Sequence, residues 1–289
     1  MFNVFRMHMY RTIKSRSTLV LGILLLAFIF THLGLAYIVF EDPLNIQAGA
    51  LFIRSTVATT KVEFTPDLVH MFFIQSNDTF IILLTIFAVL LTHSDFSKGF
   101  VKNTYGMFEN KGKLVWSKWC AMVACSSIVY VAYSLLSLCL VAPLFKTFTS
   151  KYWEQYFREF FVVYICLIAM LTMVFLITSL FRSPAGGMVI GLIIASGLLQ
   201  TLEKLVDIII AKISGADLEQ IMMSSLGIEE EGAEHFFRFS DYCLDNVYLS
   251  YSPSMGSSDT IRTVVVGLVY TAVALGLCIL LARKRDVRC

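Results

Sequence analysis

Uncharged apolar runs of helical length constrain this chain more than any other feature of its sequence. Residues 19–40 form a run of 22 residues that contains no Asp, Glu, Lys or Arg. Similar runs recur at 119–141, 160–181 and 263–282, and a helix of about 20 apolar residues crosses a hydrocarbon core of about 30 Å. Hydrophobic residues make up 57% of the 289-residue chain, whereas soluble domains contain about 45–50%. We therefore predict an all-α integral membrane protein with one membrane domain, residues 18–289.

A further span is predicted at 70–92, and its uncharged part is short. Residues 79–92 number 14, and they cover about 21 Å at 1.5 Å per residue. The helix is therefore expected to begin near residue 70, which places four polar residues at the depth of the outer leaflet: Gln75, Ser76, Asn77 and Asp78. Polar groups at that depth face the interior of a helix bundle or a wet cavity. In the alternative interpretation, Asn77 or Asp78 only caps a helix that begins at Thr79.

The fifth predicted span, 185–207, opens with small residues at intervals of four. Gly187, Gly191 and Ala195 lie on one face of a helix, and small residues at that spacing allow another helix to approach closely. They are predicted to form a packing face. Beyond Leu202 an apolar stripe continues opposite charged residues, so the helix is expected to run on amphipathically out of the membrane.

The basic residues indicate how the six predicted helices are oriented. With both termini cytoplasmic, the inner side carries 14 Lys and Arg against three acids, and the other nine basic and 18 acidic residues lie outside. An excess of Lys and Arg in the cytoplasmic loops is the usual pattern. Two polar segments stand out, an inner loop at 93–118 and a large acidic outer region at 211–259. Residues 1–17 are basic and are predicted to form either an amphipathic helix on the inner surface or a flank that only orients the first span.

No motif for catalysis or metal binding occurs at a usable spacing. Residues 106–114 have one residue too many between their glycines for a phosphate-binding loop, and they lack its Ser or Thr. The five histidines are scattered and the cysteines lie mostly in apolar runs, so neither a zinc site nor a disulfide framework is predicted. We expect a chain that is not an enzyme by itself and binds no metal, cofactor or nucleic acid. Transport is the natural class, with energy from another chain or from an ion gradient.

The inner loop at 93–118 carries residues in an order that is typical of one family of transport subunits. An acidic residue is followed by a glycine, a Lys-Asn pair, another glycine and a lysine at the entrance to the third span: Asp95, Gly99, Lys102, Asn103, Gly106 and Lys118. This loop resembles that of ABC-2 type permeases, the membrane subunits of many bacterial ABC exporters. The likeness in topology covers nearly the whole chain. The loop departs from the family pattern in having Asp95 where Glu is usual.

The resemblance implies a six-helix permease of the type V exporter kind, with both termini cytoplasmic, in the plasma membrane of a bacterium. It also implies a dimer with a second permease copy or a paralogue. The loop would hold a short coupling helix that contacts a pair of separate ATPase subunits, and these would bind ATP and Mg²⁺. The residues assigned to this contact are Asp95, Phe96, Gly99, Lys102, Asn103 and Gly106.

In such permeases the second and fifth helices line the substrate path. The residues assigned to that path are Gln75, Asn77, Asp78 and Thr85. We expect export of an amphipathic or hydrophobic substrate, foremost a bacteriocin, a lantibiotic or another antimicrobial peptide, because the outer region is acidic and suits a cationic peptide. Drug efflux within the same family is one alternative. A non-transporting scaffold or regulatory membrane subunit is another.

Overall fold

Helices account for nearly all of the chain that the computed structural model describes, which is residues 2–41, 64–75, 78–93, 111–146, 148–181, 184–213, 238–251 and 256–284. They are α1 (Phe2–Ile13), α2 (Arg16–Glu41), α3 (Pro66–His70), a π-helical turn (Met71–Gln75), α4 (Asp78–His93), α5 (Lys111–Leu144), α6 (Trp153–Leu180), α7 (Pro184–Ala195), α8 (Leu198–Ile213), a 3₁₀ turn (Ser240–Tyr242), α9 (Leu244–Ser250) and α10 (Ser257–Lys284). No β-strand forms within these ranges, where the only pairing of strand type is an isolated bridge between Phe64 and Phe148. The predicted all-α class is therefore confirmed for these residues.

Four helices in the described ranges are long and apolar enough to cross a membrane, namely α2, α5, α6 and α10. Two further spans are possible as bent pairs. The first bent pair consists of α3 with the π-helical turn followed by α4, at an angle of 50°, and the second consists of α7 and α8, at 56°. The described ranges therefore hold four helices of membrane-crossing length and hydropathy, or up to six if each bent pair is one span.

Three helices differ from the predicted spans. Helix α5 begins at Lys111 and α6 begins at Trp153, so both extend into polar segments that were predicted to be loops at 93–118 and before residue 160. Residues such as Lys, Glu and Arg are good helix formers, so the backbone hydrogen bonding continues where the apolar run stops. The fifth span was predicted to run on without a break, and this is wrong. Helix α7 ends at Ala195, and Gly197 adopts a φ of 66°, the left-handed conformation in which glycine ends helices.

Helix α6 is the centre of the bundle. It packs against α3, α4, α7, α9 and α10, and its buried residues include Val163, Cys166 and Val174. Helix α10 comes close to it at Gly267, where a Cβ atom would lie 3.0 Å from Ile165 Cγ2. Much of the surface of α2 and α10 is both apolar and exposed, as expected for faces that contact lipid.

Helix α1 packs along α5. Its Met9 Sδ lies 3.5 Å from Cys125 Sγ of α5, and the neighbouring His8 is 4% exposed. The N-terminal segment is therefore helical, and one of its faces contacts the bundle. The spacing of its apolar residues did not predict this contact.

Candidate functional site

The residues predicted to contact an ATPase lie outside the described residues; they are Asp95, Phe96, Gly99, Lys102, Asn103 and Gly106. Both flanks of their loop are described. Lys118 was predicted to stand at the entrance to the third span, but α5 begins at Lys111 and Lys118 is buried within it, at 8% exposure. Its Nζ donates a hydrogen bond to the carbonyl oxygen of Thr92 at 2.6 Å. A lysine is favourable there because the last carbonyls of a helix carry partial negative charge. The contact ties the end of α4 to the start of α5.

Of the residues assigned to a substrate path, Gln75 is engaged in a contact within the chain. Its side chain is 1% exposed, and its Nε2 donates to the carbonyl oxygens of Tyr248, at 2.9 Å, and of Tyr251. Tyr248 in turn donates from its hydroxyl to the carbonyl oxygen of Ile74 at 3.4 Å. The last carbonyls of a helix have no partner within it, so Gln75 acts as a cap for α9. Asn77 lies outside the described residues, and Asp78 is the first residue of α4.

Thr85, also assigned to the path, meets one of the small residues of the predicted packing face. A Cβ atom at Gly191 of α7 would lie 3.0 Å from Thr85 Cγ2 of α4. One turn earlier, a Cβ at Gly187 would lie 2.7 Å from Thr178 Cγ2 of α6, and Ala195 is 2% exposed. The absence of side chains at the two glycines thus allows α7 to approach α4 and α6. The structure brings the second and fifth predicted spans together at this point.

A cavity of about 150 Å³ lies beside α6, between α7, α8, α9 and α10. Its walls combine apolar and acidic side chains: Met170, Met173, Ile194, Leu199, Glu203, Cys243, Leu244, Asp245 and Tyr270. The carboxyl groups of Glu203 and Asp245 lie close together on these walls. Asp245 is 5% exposed, and its Oδ2 has no hydrogen-bond partner. The residues assigned to the substrate path are absent from these walls.

Cys243, on the wall of this cavity, is unsuited to nucleophilic chemistry. Burial, and after it the negative charge of Glu203, raises the pKa of the Cys243 thiol to about 12. The thiol is therefore protonated at neutral pH, whereas reactive cysteines are thiolates. In the described part of the chain, no group of three His, Cys, Asp or Glu side chains could hold a metal ion.

The interior also contains a cluster of three polar side chains that was not predicted from the sequence. His70 Nδ1 lies 3.0 Å from Glu159 Oε1, and His70 Nε2 lies 2.8 Å from the Tyr130 hydroxyl. Tyr130 donates to the carbonyl oxygen of Phe160 at 2.8 Å. His70, Glu159 and Tyr130 are each at most 1% exposed. We call these three residues the buried triad; it connects α3, α5 and α6.

The buried triad escaped prediction because its members are far apart in the chain. His70 is separated from Tyr130 by 60 residues and from Glu159 by 89. The signal that was available is the position of Glu159. Once α6 is taken to begin at Trp153, Glu159 falls on the same helical face as the apolar residues Tyr156 and Cys166, and an acidic residue on a buried face indicates a partner.

No protein-family model matches the chain, and neither a curated protein nor a solved structure is significantly similar to it.

Proposed function

We propose that this chain is the membrane subunit of an ATP-driven exporter and that a separate pair of ATPase subunits binds the segment that connects α4 to α5, within residues 93–118. The observation that carries the proposal is the contact at the base of this loop, where Lys118 of α5 donates to the carbonyl of Thr92 in α4. Because both flanking helices are joined there, a displacement of the loop moves them as one unit. A coupling segment needs its two flanking helices to be held together, because helices that move independently would not transmit the displacement.

The contact between α4 and α7 offers this motion a route into the bundle. Thr85 of α4 lies against Gly191 of α7, and these two helices belong to the two bent pairs. In the proposed cycle, ATP binding closes the ATPase pair, the loop shifts, and α4 displaces α7 in a rearrangement between two packed states. ATP and Mg²⁺ remain in the partner subunits.

The cavity beside Glu203 and Asp245 favours a substrate group that is both cationic and apolar. The carboxyl groups attract positive charge, and the methionines at 170 and 173 adapt to apolar groups of different shape. At about 150 Å³, the cavity is smaller than the roughly 300–1,000 Å³ of a site for a drug-sized molecule. It would take one basic side chain of an amphipathic peptide, such as a bacteriocin or another antimicrobial peptide. This size favours peptide export over drug efflux.

Co-purification from the native membrane tests the partner. The tagged full-length chain is expected to retain an ATPase subunit, identified by mass spectrometry and by ATP hydrolysis in the eluate. The double variant Lys102→Glu, Asn103→Ala should lose it at least tenfold, whereas the exposed-site control Lys151→Glu should retain it. Equal recovery with all three chains would exclude the assigned contact, and the absence of an ATPase from the wild type would favour the scaffold alternative.

Variants of Lys118 test the coupling separately from binding. Lys118→Met removes the donor to Thr92, whereas Lys113→Met changes an exposed lysine of the same helix. In liposomes that contain the co-purified complex, Lys118→Met is expected to keep ATP hydrolysis and to lose most ATP-dependent movement of a fluorescent cationic amphipathic peptide. Lys113→Met should behave as the wild type. Movement of a hydrophobic dye but not of the peptide would favour drug efflux, and movement of neither would favour the scaffold.

A further inference from the structure

The contacts of the Tyr130 hydroxyl determine which atoms of the buried triad carry protons. Its oxygen lies 2.8 Å from the carbonyl oxygen of Phe160 and 2.8 Å from His70 Nε2. A carbonyl oxygen only accepts, and a hydroxyl has one proton to donate. The hydroxyl must therefore donate to Phe160, since two oxygens at that distance without a proton between them would repel each other. It follows that Tyr130 accepts from His70, and that His70 Nε2 carries a proton.

The proton on His70 Nε2 in turn determines that a proton must lie between His70 and Glu159. With Nε2 protonated, a neutral imidazole has an Nδ1 that can only accept, and an ionised carboxylate can only accept as well. At 3.0 Å, Nδ1 and Glu159 Oε1 form a hydrogen bond only if a proton lies between them. Either Glu159 is a neutral acid beside a neutral imidazole, or it is a carboxylate beside an imidazolium. In both cases one proton lies between Nδ1 and Oε1, and the pair has no net charge.

The surroundings of His70 and Glu159 favour a pair with no net charge. Glu159 has no accessible surface, and its Oε2 has no hydrogen-bond partner, so an uncompensated charge would be costly there. The rings of Tyr130, Tyr156 and Phe160 enclose the imidazole, with centroids 5.8–6.0 Å from its own. The titratable groups that face the triad come from α3, α5, α6 and α9, and they are Asp67, Tyr130, Tyr156, Cys166 and Tyr248.

We propose that His70 and Glu159 form a binding site for a single proton and that this proton holds α3 against α5 and α6. The ligand is the proton itself, and its loss would leave a buried carboxylate facing an acceptor nitrogen. The bond between α3 and α6 would then break. The site is distinct from the loop at 93–118, and it is present whether or not the chain transports a substrate.

The pH dependence of stability tests the proposal through Glu159→Gln. The native wild type holds one proton at the pair, whereas the native variant holds none, because its amide donates to a neutral imidazole. In the unfolded chain the glutamate is ionised above its usual pKa of about 4.3, so there the two chains hold equal numbers of protons. Because the native wild type binds one proton more than the native variant while the two unfolded chains bind equal numbers, the stability of the wild type relative to the variant falls as the pH rises. The unfolding constant of the wild type relative to the variant should increase tenfold per pH unit between about pH 5 and 8.

The measurement is reversible denaturant unfolding of the full chain in neutral detergent micelles. The control is Glu154→Gln, which removes an exposed carboxyl of the same helix and should show no such slope. Groups common to all chains cancel in the ratio. Glu159→Met provides the same test with a constant offset, should the glutamine variant fold poorly. A ratio that does not change with pH for Glu159→Gln or Glu159→Met would overturn the proposal, since the native pair would then hold no extra proton.

Discussion

The two bent pairs of helices have similar angles, 50° and 56°, but different interactions hold them. In the first bent pair, buried polar side chains reach other helices: His70 contacts α5 and α6, and Gln75 caps α9. In the second, the break is made by the backbone, at Gly197 with its φ of 66°. Contact with neighbouring helices there depends on missing side chains, at Gly187 and Gly191.

The two breaks are therefore expected to respond differently to substitution. A buried polar contact is specific, because an unpaired donor or acceptor costs more than the bond contributes when it is made. A glycine contact has no such partner requirement, and it fails only when added atoms do not fit. The first bent pair is also mostly buried, whereas α8 in the second exposes a stripe of large apolar residues, namely Leu198, Leu202, Leu205, Val206, Ile209 and Ile213. The first pair is thus fixed to the bundle, and the second is the freer of the two.

The largest effect is expected for Gln75→Leu. The substitution keeps the size of the side chain but removes both donor bonds to α9, which leaves the carbonyls of Tyr248 and Tyr251 without this partner. The free energy of unfolding should fall by about 2 kcal/mol, measured by denaturant unfolding in micelles. Gln155→Leu, at a less buried position of α6, is the control. A loss of equal size in both variants would mean that the first bent pair is not held by this cap.

A smaller loss is expected for Gly187→Ala in the second bent pair. The new Cβ would lie 2.7 Å from Thr178 Cγ2 and 3.3 Å from its Cα, so α7 and α6 must separate slightly, at a cost of about 1.5 kcal/mol. The matched control is Gly276→Ala in α10, where nothing lies within 4 Å of the added atom. The comparison is made by thermal unfolding. Equal midpoints for the two variants would show that the glycine contact does not hold the second pair.

Gly197→Ala should cost about 1 kcal/mol, because a left-handed backbone strains a residue that has a Cβ. The added atom would also come within 3.2 Å of Leu249 Cδ1. Ser196→Ala, at the preceding position, loses one exposed hydrogen bond and should remain within a few tenths of a kcal/mol of the wild type. If the two variants unfold at the same midpoint, the break is not determined by the conformation of Gly197.

The smallest loss of stability is expected for Arg262→Ala, which removes an exposed polar contact. Arg262 of α10 pairs with Asp241 at 3.4 Å and with Asp259 at 3.3 Å, and its side chain is 36% exposed. Exposed pairs of this kind contribute about 0.2–1 kcal/mol, and salt screens them. Arg262→Ala should therefore change stability by less than Gln75→Leu, and the difference should shrink in high salt. A loss as large as that of Gln75→Leu would show that burial is not what distinguishes the two contacts.

Several parts of the fold could be predicted because a membrane imposes them locally. The apolar runs that form α2, α5, α6 and α10 follow from length and hydropathy alone. The first residues of α5 and α6 were predicted too late in the chain, since good helix formers continue a helix through polar flanks. The break at Gly197 was missed because glycine within a helical pattern is compatible with both continuation and termination. The ATPase contact, Asp95 to Gly106, remains a prediction from resemblance.

In the candidate sites, some residues could be identified from the sequence, but their contacts could not. Composition and spacing indicated the polar residue Gln75 within a span and the small residues of α7. They did not indicate that Gln75 caps α9, or that Thr85 meets Gly191. Both contacts join segments whose relative placement depends on how the helices pack.

The lengths and hydropathy of the apolar runs are enough to predict a helical membrane protein, because each span must satisfy its own backbone hydrogen bonds and present apolar side chains to lipid. The partners of the buried polar groups, in contrast, depend on how the helices pack. His70, Tyr130 and Glu159 are unremarkable in their own segments, and only the packing of α3, α5 and α6 brings them within hydrogen-bond distance. A side chain's need for a partner is local, but the identity of the partner is set by the fold.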